Sequence, residues 1–172
     1  ESVRQAIVAE DSIVGSYYAD VSLSAVEGWV REAIPAVGNV QVYPGLNGVL
    51  QVDVTQRRPV ARWHREGGEP DLYMDDLGET MPLSGAFTAR VPLIFAQNEA
   101  EAELGFSYLS ALTEDDLWRA FTDGLVIQNE QVELIPRLGS ARIELGEIDE
   151  LPRQMHYLDA FYREQIARGN LN

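Results

Sequence analysis

The chain has 172 residues, 45% of them apolar and 24% charged, which is enough to bury one ordinary core or two small ones and too apolar for a disordered tail. Its 13 Lys and Arg stand against 28 Asp and Glu, and the net charge of -15 repels phosphate backbones and argues against nucleic acid as a partner. There is no cysteine, so a disulfide framework, zinc–thiolate sites and thiol catalysis are excluded.

Residues 1–10 place Val3, Ala6 and Ile7 on one helical face, and Gly15 breaks the segment that follows. Ser22 or Ser24 opens a second helix, with Glu27 at the capping-box spacing from Ser24. Leu23, Val26, Val30 and Ile34 form its apolar stripe, and Pro35 and Gly38 end it. Residues 39–44 alternate as a short strand, residues 45–48 (GLNG) make a turn, and residues 49–55 form the next strand with Leu50, Val52 and Val54 on one side. Pro59 cannot donate to a ladder and marks an edge, a bulge or a strand exit. Residues 60–63 resume the extended pattern, and residues 64–70 (HREGGEP) read as a loop.

The second half is richer in strand signals. Residues 71–74 and 79–83 flank a turn at 75–78, and residues 90–95 are extended. Residues 98–112 read as a helix, and Thr113 opens another with Asp116 at capping-box spacing. Residues 125–128, 131–137 and 141–145 read as three antiparallel strands, turning at Asn129-Glu130 and Gly139-Ser140. A last helix over 149–168 repeats Leu151, Met155, Leu158, Tyr162 and Ile166, and Gly169-Asn170 stops it. The longest apolar run, residues 91–96, is strand-sized and far from the roughly 20 residues of a membrane helix.

Chemistry-bearing patterns are sparse. His64 and His156 belong to no paired or HExxH motif and read as ordinary histidines. Gly105-Phe106-Ser107 begins a GxSxG motif, but the last glycine is absent and the segment is helical. Asp71, Asp75, Asp76 and Glu79 surround Gly78 without EF-hand spacing and read as a solvated turn rather than a calcium site. Trp29, Trp63 and Trp118 read as core. No catalytic residue, metal ligand or cofactor is assigned.

The hairpin followed by QRRPVARW resembles the FtsQ/DivIB family of bacterial cell-division proteins. Gln56, Arg57, Pro59, Val60, Ala61 and Trp63 match a family signature of Glu/Gln-Arg-x-Pro-Val/Ile-Ala-x-Trp. Residues 72–96 (LYMDDLGETMPLSGAFTARVPLIFA) are similar to the Bacteroidetes subgroup, and residues 135–139 and 143–146 match its later hairpin. The resemblance implies an α+β chain: a POTRA-like ααββ unit over 1–63 lacking its first strand, then a mostly antiparallel β-domain with flanking helices over 64–172, short of its last strands. It implies a non-catalytic scaffold at the periplasmic face of the inner membrane, held by one membrane helix upstream of Glu1. Its partners would be cell-division membrane proteins, chiefly the FtsB–FtsL pair, recruited by strand addition to the β-domain.

Two sets of residues follow from that resemblance. Arg57, Pro59, Val60 and Trp63 are expected to set the interdomain junction, with Arg57 and Arg58 facing solvent or acidic neighbours. Ala141, Arg142, Ile143, Glu144 and Leu145 are expected to form a strand close to the sheet edge, where a partner chain could pair. Two alternatives remain at this point: a POTRA-bearing protein of outer-membrane assembly or secretion, and a carboxylate-dependent hydrolase.

Overall fold

In the computed structural model, residues 2–9, 17, 21–84, 88–139 and 141–169 are described. The chain divides into two compact units, Glu1–Arg58 and Pro59–Asn172, and its fold is α+β.

The first unit runs α1 (Ser2–Ala9), α2 (Leu23–Ala33), β1 (Val37–Pro44) and β2 (Leu50–Gln56). Ser22, not Ser24, caps α2, its hydroxyl accepting from the Ala25 amide at 3.4 Å. Glu27 forms no capping box, because its carboxylate accepts from the Val42 amide at 3.0 Å and ties the helix to β1. The apolar stripe of α2 puts Val26 and Val30 at 0% exposure, against Val37, Val40 and Val42 of β1. Each such valine contributes roughly 1.5–3 kcal/mol of burial. Val3, Ile7, Trp29, Leu50 and Val52 pack around this cluster. The two strands pair antiparallel, with Val40 opposite Val54 and Val42 opposite Val52. The expected breaker at Gly15 lies outside the described residues.

The second unit is built on a seven-stranded sheet in the order β5-β4-β3-β6-β7-β8-β9. Its strands are β3 (Pro59–Arg65), β4 (Leu72–Asp75), β5 (Thr80–Pro82), β6 (Leu93–Ala96), β7 (Thr122–Gln128), β8 (Gln131–Pro136) and β9 (Ile143–Leu145). The outer pairings are antiparallel, whereas β6 runs parallel to both β3 and β7. The helices are α3 (Glu99–Leu112), α4 (Asp116–Phe121) and α5 (Leu151–Arg168).

Three local readings change. His64 and Arg65 continue β3, so the loop begins after Arg65; residues 59–63 thereby belong to one strand of the second unit. Thr113 does not open α4. Its hydroxyl turns back to the Leu109 carbonyl at 2.8 Å, and the Asp115 carboxylate caps the helix through the Leu117 and Trp118 amides. The last strand is shorter than 141–145, because Ala141 and Arg142 precede the β9 ladder.

Alternation sorts the sheet residues onto two faces. Ala61, Trp63, Met74, Ile94, Leu125, Val132 and Leu134 are buried in one cluster with Leu109, Leu112, Trp118 and Phe121 of the helices. Tyr162 of α5 joins it through edge contacts with Trp118 at 5.7 Å and a tilted contact with Phe121 at 4.7 Å. Gly105 permits α3 to approach closely: a Cβ there would lie 2.7 Å from both Ile94 Cγ2 and Ile127 Cδ1. The opposite face of the sheet carries His64, Phe95, Val126, Glu133 and Glu144 across successive strands.

Candidate functional site

The end strand β9 is the structural feature that the site expectation singled out. It pairs with β8 alone, setting Val132 opposite Leu145, Glu133 opposite Glu144 and Leu134 opposite Ile143. Among the described residues, no strand lies against its other side. A β8–β7 hairpin supports it. That hairpin turns tightly at Asn129 (φ 51) and Glu130 (φ 65), the positive-φ pair of a type I′ turn.

β9 is anchored at its C-terminal end. Leu145 is 5% exposed in the main core. The Tyr108 hydroxyl donates to the Gly146 carbonyl at 2.8 Å, and the Gly146 amide donates to Gln154 Oε1 at 2.9 Å. Burial, with the nearby Glu147 and Asp149 charges, pushes the Tyr108 phenol above its ordinary value, so it stays a donor. The face of the edge is charged: Glu144 is exposed, and Arg142 pairs with Glu133 at 3.2 Å. Glu133 and Glu144 are directly opposed like charges, which cross-strand pairing disfavours. Arg142 offsets that repulsion from just outside the strand.

The four junction residues separate into two environments. The Arg57 amide donates to the Ala36 carbonyl at 2.9 Å and its Nε to the Val37 carbonyl at 3.4 Å, both inside the first unit. Its guanidinium thus reaches the β1 backbone. Pro59 opens β3, where the β3–β4 register shifts between Pro59 and Ala61, and Val60 is half-buried. Trp63 is 7% exposed in the second core, and its indole N–H donates to the Ala96 carbonyl at 2.9 Å.

The remaining candidates resolve into structural roles. Ser107 donates to the Glu103 carbonyl inside α3. Asp75 is 4% exposed and its Oδ1 accepts from the Leu77 and Glu79 amides, both at 3.0 Å, closing the β4–β5 turn. Asp71 accepts instead from Arg62 and His64, so the acidic residues around Gly78 do not converge. Among the described residues, no group of three or more His, Asp or Glu is placed to hold a metal ion. His156 is exposed, with its ring edge toward Tyr157. The meeting of Arg62, His64 and Asp71 was not foreseen from sequence. The available signal was cross-strand spacing, hidden while His64 was read as loop.

Residues 58–172 match the family model described as FtsQ/DivIB, C-terminal related. No curated protein matches the chain.

Proposed function

The chain belongs to the FtsQ/DivIB C-terminal related family, which ties it to bacterial cell division, and from that premise we propose that it is a non-catalytic, extracytoplasmic scaffold that recruits division partners. The two units correspond in this reading to a POTRA-like domain and a β-domain. The partner is an FtsB–FtsL-like pair of membrane proteins, and the contact is strand addition to β9. The observation that carries the reading is the side of β9 against which no strand lies among the described residues: such a strand edge is a template for another chain.

Main-chain groups of successive strand residues point to opposite sides, so of Ile143 and Glu144 one directs its N–H outward. Ile143→Pro and Glu144→Pro would be made separately. Binding of the purified extracytoplasmic domains of the FtsB–FtsL pair would be measured by calorimetry, beside each variant's melting temperature. One variant is expected to keep its stability and lose at least tenfold in affinity. A stable proline variant that binds like the parent, with the other also unimpaired, refutes strand addition at β9.

A further inference from the structure

The edge of β9 is continuous with an exposed aromatic flank of α5. The helix starts at the Leu145 end of the strand, where Gln154 Oε1 accepts from the Gly146 amide at 2.9 Å. Further along, Tyr162 meets Phe121. The residue after Phe121, Thr122, pairs with Pro136, beyond the Ile143 end of the β8–β9 ladder. α5 therefore runs back along β9, on the face that holds Ile143 and Leu145 in the main core. From Gln154 to Phe161 is roughly 10 Å along a helix. From Gly146 back to Ile143 is roughly 10 Å along a strand. Phe161 thus stands level with the start of β9, and Tyr157 level with its end.

Helical spacing fixes which flank is left in water. Gln154, Tyr157 and Phe161 stand at i, i+3 and i+7, so the two aromatics share the flank that touches Gly146. Arg163, nearly opposite Phe161 on the helix, feels the Asp115 charge at the start of α4. Tyr157 is 65% exposed and Phe161 52%, whereas Tyr162 is buried. The strand beside this flank is acidic. Residues 142–150 (RIELGEIDE) carry four carboxylates and one arginine. Arg142 is already committed to Glu133 at 3.2 Å. Glu144, directly across from Glu133, has no cationic partner among the described residues.

We propose that the segment added to β9 alternates basic and aliphatic residues. A Lys or Arg stands opposite Glu144 on the outer face, and the aliphatic side chains before and after it project to the inner face and cover Phe161 and Tyr157. One extended segment serves both needs, because successive side chains of a strand point to opposite faces. The inference rests on strand addition at β9 and names the chemistry of the strand that adds. Charge complementarity selects a basic partner over a second copy of this chain, which would bring the same carboxylates against one another.

The test is an amide-resolved NMR titration of the isotope-labelled chain with synthetic peptides Val-Lys-Val-Lys-Val, Val-Glu-Val-Glu-Val and Ser-Lys-Ser-Lys-Ser, each between Gly-Ser tails. The valine–lysine peptide is expected to shift the amides of Ile143, Glu144, Leu145 and Phe161, and to bind about tenfold more tightly than either other. Glu144→Lys, which removes a repulsion from Glu133 rather than a contact, is expected to invert the preference between the lysine and glutamate peptides that carry valine. Phe161→Ser is expected to weaken both valine peptides about threefold and to leave the serine peptide unchanged. Tyr157→Ser, at the more exposed ring, gives the same comparison should Phe161→Ser lower the melting temperature. Equal binding of the two valine peptides, no inversion by Glu144→Lys, shifts confined to other residues, or no binding overturns the proposal. So does a dimer in sedimentation velocity that Glu144→Lys alters, because the occupant is then a second copy. Proline variants that lose the FtsB–FtsL pair while the peptides show no preference defeat this inference and leave strand addition standing. Peptides that behave as expected beside an FtsB–FtsL pair indifferent to those variants keep the site and remove that partner.

Discussion

The two end strands of the seven-stranded sheet are equally short and differently defended. β5 is Thr80–Pro82, and its proline has no N–H to offer a neighbour. The turn before it is closed by Asp75, whose buried carboxylate holds two amides. β9 contains no proline and retains its donors, and its protection is electrostatic: Glu144 on the strand and Arg142 just before it. A proline removes a ladder donor whatever strand approaches, whereas charge discriminates between approaching strands. The difference teaches that one end of the sheet is blunted by a missing donor and the other is guarded by charge.

That contrast can be tested from the centre outward. Both ends hang on the core beneath β3, so Trp63→Ala should cost the most, about 3–5 kcal/mol for a buried tryptophan. A urea midpoint that did not move would place Trp63 outside the core. At the β5 end, Asp75→Ala leaves the Leu77 and Glu79 amides without their acceptor and should cost about 1–3 kcal/mol by the same measurement. At the β9 end, Tyr108→Phe removes the hydroxyl that anchors Gly146 and should cost about 1 kcal/mol.

The tyrosine also carries a pH signature. The phenol of Tyr108 titrates above its ordinary value of 10.0 in the folded chain, mainly because it is buried. The protonated form is thus favoured by folding, and its contribution is fully present below about pH 10 and lost as pH rises beyond it. Tyr108→Phe should reduce the alkaline fall in melting temperature; an unchanged alkaline limb assigns that fall to other groups. The smallest effect should come from Arg142→Ala, under about 1 kcal/mol for an exposed pair and vanishing in molar salt. An Arg142→Ala loss as large as that of Asp75→Ala would mean that the two ends are not defended differently after all.

Local signals carried much of this architecture. The Val26–Val30 stripe, the Asn129-Glu130 turn and the Gly169 stop (φ 68) are each set by neighbours a few residues away, and each appears where its pattern places it. What escaped depends on distant partners. Pairing β6 in parallel between β3 and β7 joins segments whose separate patterns say only that each is extended. Gly105 looked like part of an incomplete serine motif, and its reason is the 2.7 Å approach of Ile94 and Ile127. The residues of β9 were legible as a strand, but a strand's end position belongs to the sheet order. Trp63 matched a signature expected at a junction, and its partner Ala96 explains its burial within one unit.

The parallel centre of the sheet also dictates an order of assembly. β3 is the first strand of its unit to be synthesised, yet its neighbour β6 comes only after β4 and β5, and β7 only after α3 and α4. The middle of the sheet therefore closes late, after long loops have been brought together, and such non-local pairing is slow. The β3–β4–β5 meander and the β7–β8–β9 meander are each local and can form on their own before that closure. The second unit is in this sense two meanders waiting for one strand, and β6 (Leu93–Ala96) is the latch that joins them.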